Sequence, residues 1–313
     1  MLSQLALFIH SCFTIWVGAG MVIKVVSSVA HSLKVSPFTM SFFVLGLMTS
    51  LPEFVIGVTA VYRGEADLMV GNLIGATLVL FLLVIPLLAI TGRGVNLPKD
   101  LSRRNMLLSL LTIIAPAIMI VDRQLSLFEG IFLVVLYLAL FIMLGREANL
   151  FQQFIKKIKT KTIHHSHRLL KLVLGLGLIF ISSQQIVSSA EYFATALNWS
   201  PFIVGLLLLS IGTNIPELSL VLRSVVGKQQ DIALADYVGS AAGNTLLIGI
   251  FTIGNMGSIL LPNHATQRII LTVVSLILFY LFARSRKVLS RKEGFVLLAL
   301  YVIFVVLELM SVK

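Results

Sequence analysis

Apolar runs of about twenty residues recur along this chain, separated by short polar loops. A helix needs about 20 residues to cross the hydrocarbon core of a bilayer. Ten runs are long enough, near 5–30, 38–62, 68–91, 105–121, 126–145, 169–194, 201–224, 231–256, 267–284 and 293–311. A helix satisfies its own backbone hydrogen bonds, which lipid cannot do. The expected fold class is therefore all-α polytopic membrane protein. The pattern also repeats. Residues 36–90 align without a gap on residues 200–254, an offset of 164. Ser36-Pro37-Phe38 matches Ser200-Pro201-Phe202; Thr49, Pro52 and Glu53 match Thr213, Pro216 and Glu217; Asp67 matches Asp231 and Gly75 matches Gly239. Ten spans then divide into two halves of five, and an odd number of helices per half inverts the second half. The expectation is two inverted five-helix repeats with broken helices 2 and 7. The first occupies 1–145 and the second 169–313, with a basic linker at 146–168.

Composition agrees with the pattern. The chain is 58% hydrophobic and 12% charged, against about 25% charged in soluble domains. The net charge of +11 is unevenly placed. The odd-numbered loops carry nearly all Lys and Arg. The even-numbered loops and the C-terminus carry only Arg63, Arg123, Arg268 and Lys313. The positive-inside rule then puts both termini outside, and anchoring on anionic headgroups explains the basicity without nucleic acid. A prokaryotic plasma membrane is the expected location. The lipid bilayer and metal cations are the expected partners, with no obligate protein partner. The N-terminus lacks the positive region of a cleavable signal. Cys12, the single cysteine, cannot form an internal disulfide and reads as apolar filler. Lys24 is expected to snorkel to the inner interface, Glu191 to lie near the outer one, and His164, His165 and His167 to be solvated in the linker.

The chemistry concentrates in the two breaks, Gly46-Leu47-Met48-Thr49-Ser50-Leu51-Pro52-Glu53 and Ser210-Ile211-Gly212-Thr213-Asn214-Ile215-Pro216-Glu217. Proline removes a donor and clashes with the carbonyl four residues back, which should free carbonyls around residues 48 and 212, close to Gly46 and Gly212; Gly46 and Ser210 are further candidate ligands. Exposed carbonyls at membrane depth line cavities or bind something. Thr49, Ser50, Thr213 and Asn214 add side-chain oxygens, and Glu53 and Glu217 add charge. A carboxylate at the bilayer centre costs roughly 2.5–3.5 kcal/mol on insertion scales. Oxygen-only ligands with two carboxylates suit a hard cation such as Ca²⁺ or Na⁺. In span eight Asp236, Ser240 and Asn244 share one face. The matching positions of span three are Asn72, Ala76 and Leu80. Gly71, Gly75, Gly239 and Gly243 should let spans three and eight approach the broken helices closely.

Thr49-Ser50-Leu51-Pro52-Glu53, Gly64-Glu65-Ala66-Asp67 and Gly71-Asn72-Leu73-Ile74-Gly75 together resemble the first alpha repeat of the sodium/calcium exchanger branch of the calcium:cation antiporter superfamily. Gly212-Thr213-Asn214-Ile215-Pro216-Glu217, Asp231-Ile232-Ala233-Leu234 and Gly239-Ser240 resemble the second. The resemblance implies a cluster of cation sites between the repeats. Thr49, Ser50 and Glu53 would come from the first and Thr213, Glu217 and Ser240 from the second. Spans one and six would slide across a rigid core. The chain departs from the family pattern at Ala76 and Leu80, where Ser and Asn are common. It also departs at Asn214, where Ser is common, at Asn244, often Asp, and at Asp236, usually Asn.

The expected function is antiport, Na⁺ entry driving Ca²⁺ export, with no cofactor and no enzymatic step. Glu53 and Glu217 together balance one divalent or two monovalent ions, and mutual exclusion at shared carboxylates gives exchange. Protons should compete at the pair and weaken transport at acid pH. The alternatives are cation/H⁺ or other divalent-cation antiport with fewer sites, a non-transporting relative, and, remotely, an intramembrane carboxylate enzyme.

Overall fold

A computed structural model describes residues 2–31, 37–98, 101–147, 166–255, 257–261 and 265–311. Among the described residues, ten helical elements follow one another. They are α1 (Leu2–His31); α2, from Pro37–Thr39 to Leu51–Tyr62; α3, from Ala66–Val79 to Ile85–Thr91; α4 (Arg103–Met119); and α5 (Leu127–Glu147). Then come α6 (Ser166–Leu197); α7, from Pro201–Val204 to Ile215–Val226; α8 (Gln230–Gly254); α9 (Ala265–Arg286); and α10 (Arg291–Ser311). Among the described residues, nine of these contain stretches long and apolar enough to cross a membrane, and α9 contributes a shorter one, Ile270–Arg284. The side chains of Lys24, His164, His165 and His167 and most of the 146–168 linker lie outside the described residues.

Burial sorts the helices. The apolar windows of α3 and α8 are 83% and 78% buried, against 28% for α5 and α10. The third helix of each repeat therefore forms the centre, and α5 and α10 turn exposed Val, Leu, Ile and Phe side chains outward. Such a surface suits lipid.

The twofold relation reaches well beyond the aligned segment. Two short antiparallel ladders join the repeats: β1 (Val95–Asn96) with β4 (Val288–Leu289), and β2 (Gln124–Leu125) with β3 (Ile259–Leu260). Val95 pairs with Leu289, and Ile259 pairs with Leu125, so adding 164 to one ladder gives the other. The backbone bonds beside them obey the same rule: Leu97 N–H donates to Lys287 O and Leu261 N–H to Arg123 O, each at 2.9 Å. Arg123 and Lys287 both take positive φ, 66° and 53°. The N-termini of α5 and α10 carry matching capping boxes. Glu129 accepts from Ser126 N–H at 2.7 Å, and Glu293 accepts from Ser290 N–H at 2.7 Å.

Candidate ion-binding site

The site begins with two broken helices. Each starts with a short α segment, widens into a π segment (Met40–Leu45 in α2, Gly205–Leu209 in α7), and returns to α for one turn. Each then breaks at a residue with ψ near zero, Ser50 (ψ 5°) or Asn214 (ψ 11°), just before Leu51-Pro52 or Ile215-Pro216. The proline restarts the helix in its first turn, where the missing donor is harmless. The next residue is the glutamate. Sequence period and proline placement indicated the breaks but not the π segments, because i→i+5 bonding has no comparable sequence signal.

The carbonyls near the breaks are not left open. Gly46 O accepts from Ser50 N–H (3.2 Å), Ser50 Oγ (2.9 Å) and Thr49 Oγ1 (3.2 Å). Ser210 O accepts from Asn214 Nδ2 (2.7 Å) and Thr213 Oγ1 (3.4 Å). Side-chain donors of the same turn thus occupy these two carbonyls; the carbonyls four residues before Pro52 and Pro216, Met48 O and Gly212 O, face the Ser50 and Asn214 backbone N–H groups.

Packing then exchanges partners between repeats. A Cβ on Gly239 of α8 would collide with the Phe42 carbonyl of α2, and one on Gly75 of α3 with the Leu206 carbonyl of α7. Phe42 and Leu206 are twofold mates, as are Gly75 and Gly239. Gly71 packs equally closely on Phe202. Each broken helix thus lies against the third helix of the other repeat, and hydrogen side chains at these positions permit the approach. Gly243 is different: its added Cβ would sit 3.5 Å from Leu47 and Ser50, an ordinary contact, so close packing does not explain it.

The exchange brings the predicted residues together from both repeats. Ser50 Oγ and Ser240 Oγ share a hydrogen bond at 3.0 Å. The Thr213 side chain lies beside Glu53, and Thr49 lies beside Glu217 and Asp236. Glu53, Glu217 and Asp236 are all at most 2% exposed. Both oxygens of Glu217, both of Asp236 and Oε2 of Glu53 lack a hydrogen-bond partner among the described residues. Buried polar atoms are nearly always partnered, so these orphaned carboxylate oxygens make this the candidate site. Asn244 donates to Leu73 O and Thr77 Oγ1, each at 3.4 Å, and its Oδ1 is unpartnered. Asn72, the mate of Asp236, has both amide atoms unpartnered and was not singled out as a ligand from sequence. Among the described residues no three His, Cys, Asp or Glu side chains converge as a ready metal cluster; a cation here would rely on hydroxyl and carbonyl oxygens as well.

Two crevices flank the site and are twofold mates. Between α6 and the second half of α2, Gln184 Nε2 donates to Thr59 Oγ1 (3.0 Å), and Thr59 and Ser183 share a bond at 3.3 Å. Arg63 donates to Ser188 Oγ (2.8 Å), Gln184 Oε1 (3.1 Å) and Glu191 Oε1 (3.3 Å). Glu191 is thus at the helix end, as expected. Between α1 and the second half of α7 there is instead a cavity of about 300 Å³ lined by Trp16, Gly20, Ser219 and Arg223 among others. Gly20 is the mate of Gln184, so the side chain that fills one crevice is absent from the other. Cys12 is buried against the Gly212 position, as filler.

Ten helices in inverted repeats, with oxygen-rich breaks facing each other at the centre, define a secondary cation transporter. Residues 3–145 and 167–310 match the sodium/calcium exchanger protein family, and the chain belongs to it. The relative named "Putative antiporter CaxA" of Alkalimonas amylolytica is 29% identical over 88% of this chain and 89% of its own. The inner membrane protein YrbG of Escherichia coli K12 is 27% identical over 79% of this chain and 78% of its own. A solved structure of the sodium-calcium exchanger NCX_Mj, soaked with Na⁺ and Sr²⁺, is similar in fold with a TM-score of 0.70 at 22% identity. The likeness covers 97% of this chain and 98% of that one. The protein is a membrane antiporter, and the enzyme alternative falls away.

Proposed function

We propose that this protein exports Ca²⁺ in exchange for Na⁺ across a prokaryotic plasma membrane, with both termini outside. The observation that carries this reading is the facing pair Glu53 and Glu217, buried with orphaned oxygens and each beside the threonine of the other repeat. Their two charges balance one Ca²⁺ or two Na⁺. Thr49, Ser50, Thr213, Ser240 and the carbonyls of Gly46 and Ser210 replace hydration. Hard cations with oxygen shells fit this donor set. The names borne by the family and by NCX_Mj agree with the choice of ions. Asp236 places a third carboxylate one helical turn toward the cytoplasmic side of Ser240, where it would attract the incoming divalent ion.

Alternating access follows from the unequal crevices. The Arg63 network seals the outer crevice, and the cavity at Gly20 leaves the inner one loose. The described state is then closed outside, and exchange requires the outer network to break while the inner cavity closes.

A second reading, proton-coupled exchange of Ca²⁺ or another divalent ion, is favoured by one observation: Ala76 and Leu80 leave the first repeat's third helix without the oxygens that Ser240 and Asn244 supply in the second. Reconstituted vesicles decide between them. Ca²⁺ flux under an imposed Na⁺ gradient, unaffected by collapsing the pH gradient, supports Na⁺ coupling; flux that follows the pH gradient alone supports the second reading.

A further inference from the structure

The crevice between α1 and the second half of α7 differs from its twofold mate in a way that packing does not explain. The mate, between α6 and α2, is closed by Gln184, which donates to Thr59 Oγ1 at 3.0 Å. In the α1–α7 crevice Gly20 stands in place of Gln184, and Arg223 in place of Thr59. A Cβ on Gly20 would meet nothing within 4 Å, so no close approach of a neighbour requires a glycine there. The bare position leaves a cavity of about 300 Å³, about twenty times the roughly 15 Å³ that one water needs.

The walls restrict what can fill it. Trp16, Val17, Met21, Pro216 and Leu220 line it with apolar surface. Ser219 Oγ accepts from Trp16 Nε1 at 3.1 Å and donates to Pro216 O at 2.7 Å, so its donor is spent, as is the indole N–H. Arg223, in the last turn of α7, makes no ion pair and no side-chain hydrogen bond with the described residues. An ordered water takes about three hydrogen bonds, which most of this lining does not offer. An unpaired guanidinium repels cations and attracts anions, so the occupant these walls fit is not the transported ion. It is a molecule with an apolar body and an anionic end. Beside Arg223 on the same helix, Leu222 and Val226 are 65% and 86% exposed, which puts the guanidinium at a lipid-facing edge of the crevice.

We propose that the α1–α7 crevice binds an anionic phospholipid of the inner leaflet, its phosphate on Arg223 and one acyl chain in the space that Gly20 leaves, against Trp16 and Met21. The choice of leaflet rests on the orientation proposed above. Anionic lipids of that leaflet pair with basic pockets between transmembrane helices. The two crevices are then filled by different means: the outer one by the fixed side chain of Gln184, the inner one by a removable lipid. On the alternating-access reading the lipid must leave before α1 closes on α7, so the anionic-lipid content of the membrane sets the ease of that step.

Trp16 reads the site directly. The chain has two tryptophans, and Trp199→Phe leaves Trp16 alone. In phosphatidylcholine vesicles, phosphatidylglycerol with brominated chains should quench Trp16 saturably. The mole fraction needed should be roughly fivefold lower than for brominated phosphatidylcholine, the worth of one Arg at headgroup level. Gly20→Gln places the mate's side chain where its Cβ has room and should abolish the preference by filling the space. Arg223→Gln, at an exposed position, should abolish it by removing the charge. Equal quenching by the two lipids in the Trp199→Phe protein, or a preference that survives either further substitution, overturns the proposal. Release of the quenching by excess inorganic phosphate would assign Arg223 to a free anion and overturn the lipid as occupant. The brominated lipid occupies both leaflets and quenching requires no transport. Failure of the orientation or of Na⁺-driven flux is therefore a separate result from failure of lipid binding.

Discussion

Ser50 and Ser240 lie 190 positions apart in the chain and share a buried hydrogen bond of 3.0 Å. The contact exists only because α2 of one repeat packs on α8 of the other, with Gly239 letting the Phe42 carbonyl approach. It therefore reports the exchange of packing partners between the repeats. Replacing Ser240 by Ala removes one proposed oxygen ligand and one of the two bonds of the Ser50 hydroxyl, which keeps its bond to Gly46 O, a loss of about 1–3 kcal/mol. The half-saturating Na⁺ concentration for Ca²⁺ flux should rise roughly 5- to 100-fold, at about 1.4 kcal/mol per tenfold. Flux titrations with Na⁺ check this.

Gly239 and Gly243 occupy the same helix one turn apart and should respond in opposite ways. Gly239→Ala drives a methyl into the Phe42 carbonyl, an overpacking that costs about 1–3 kcal/mol or more. Gly243→Ala meets neighbours at 3.5 Å and gains helix propensity of about 1 kcal/mol. Thermal unfolding in detergent should show a lower Tm for the first and an unchanged or higher Tm for the second.

Arg63 joins α2 to α6 through Gln184, Ser188 and Glu191. The ion pair is partly exposed and worth little alone, but the neutral acceptors add about 1 kcal/mol each. Arg63→Ala should shift the population toward the outward-open state by roughly five- to thirty-fold for 1–2 kcal/mol. Tighter apparent affinity for external Ca²⁺ in right-side-out vesicles is the expected reading. An unchanged affinity would remove Arg63 from gating.

Glu65, in the loop after α2, has its carboxyl held above the usual range by partial burial, then by the charges of Asp67 and Glu191. A carboxyl raised in the folded state favours folding when protonated and opposes it when ionised. The penalty appears as pH rises through the raised value. Glu65→Gln should therefore raise Tm at neutral pH, and the gain should vanish on acidification. Melting curves across that range check the sign.

Much of this architecture is legible in the amino-acid sequence. The apolar runs give ten helices, and the Pro-Glu repeats give the breaks and the two central carboxylates. The capping boxes Ser126/Glu129 and Ser290/Glu293 were readable too, as Ser-x-x-Glu before an apolar run. They lie outside the repeat of residues 36–90 and 200–254, and the β ladders show that the same offset of 164 extends to them. The β ladders escape because two-residue strands carry no period. That Asn214 turns its nitrogen to Ser210 O cannot be read from sequence either, since an asparagine presents an oxygen as readily as a nitrogen until its neighbours are placed. The same holds for Gly20, whose meaning depends on Gln184 filling the matching crevice.

On the proposed reading, Glu53 and Glu217 jointly hold the transported cation. The most direct measurement is Ca²⁺ flux in Na⁺-loaded vesicles containing wild type, Glu53→Gln or Glu217→Gln at matched protein density. Each glutamine keeps the shape and removes one of the two charges that balance Ca²⁺, so each variant alone should lose nearly all Ca²⁺ flux. Full wild-type flux from both variants would contradict the account.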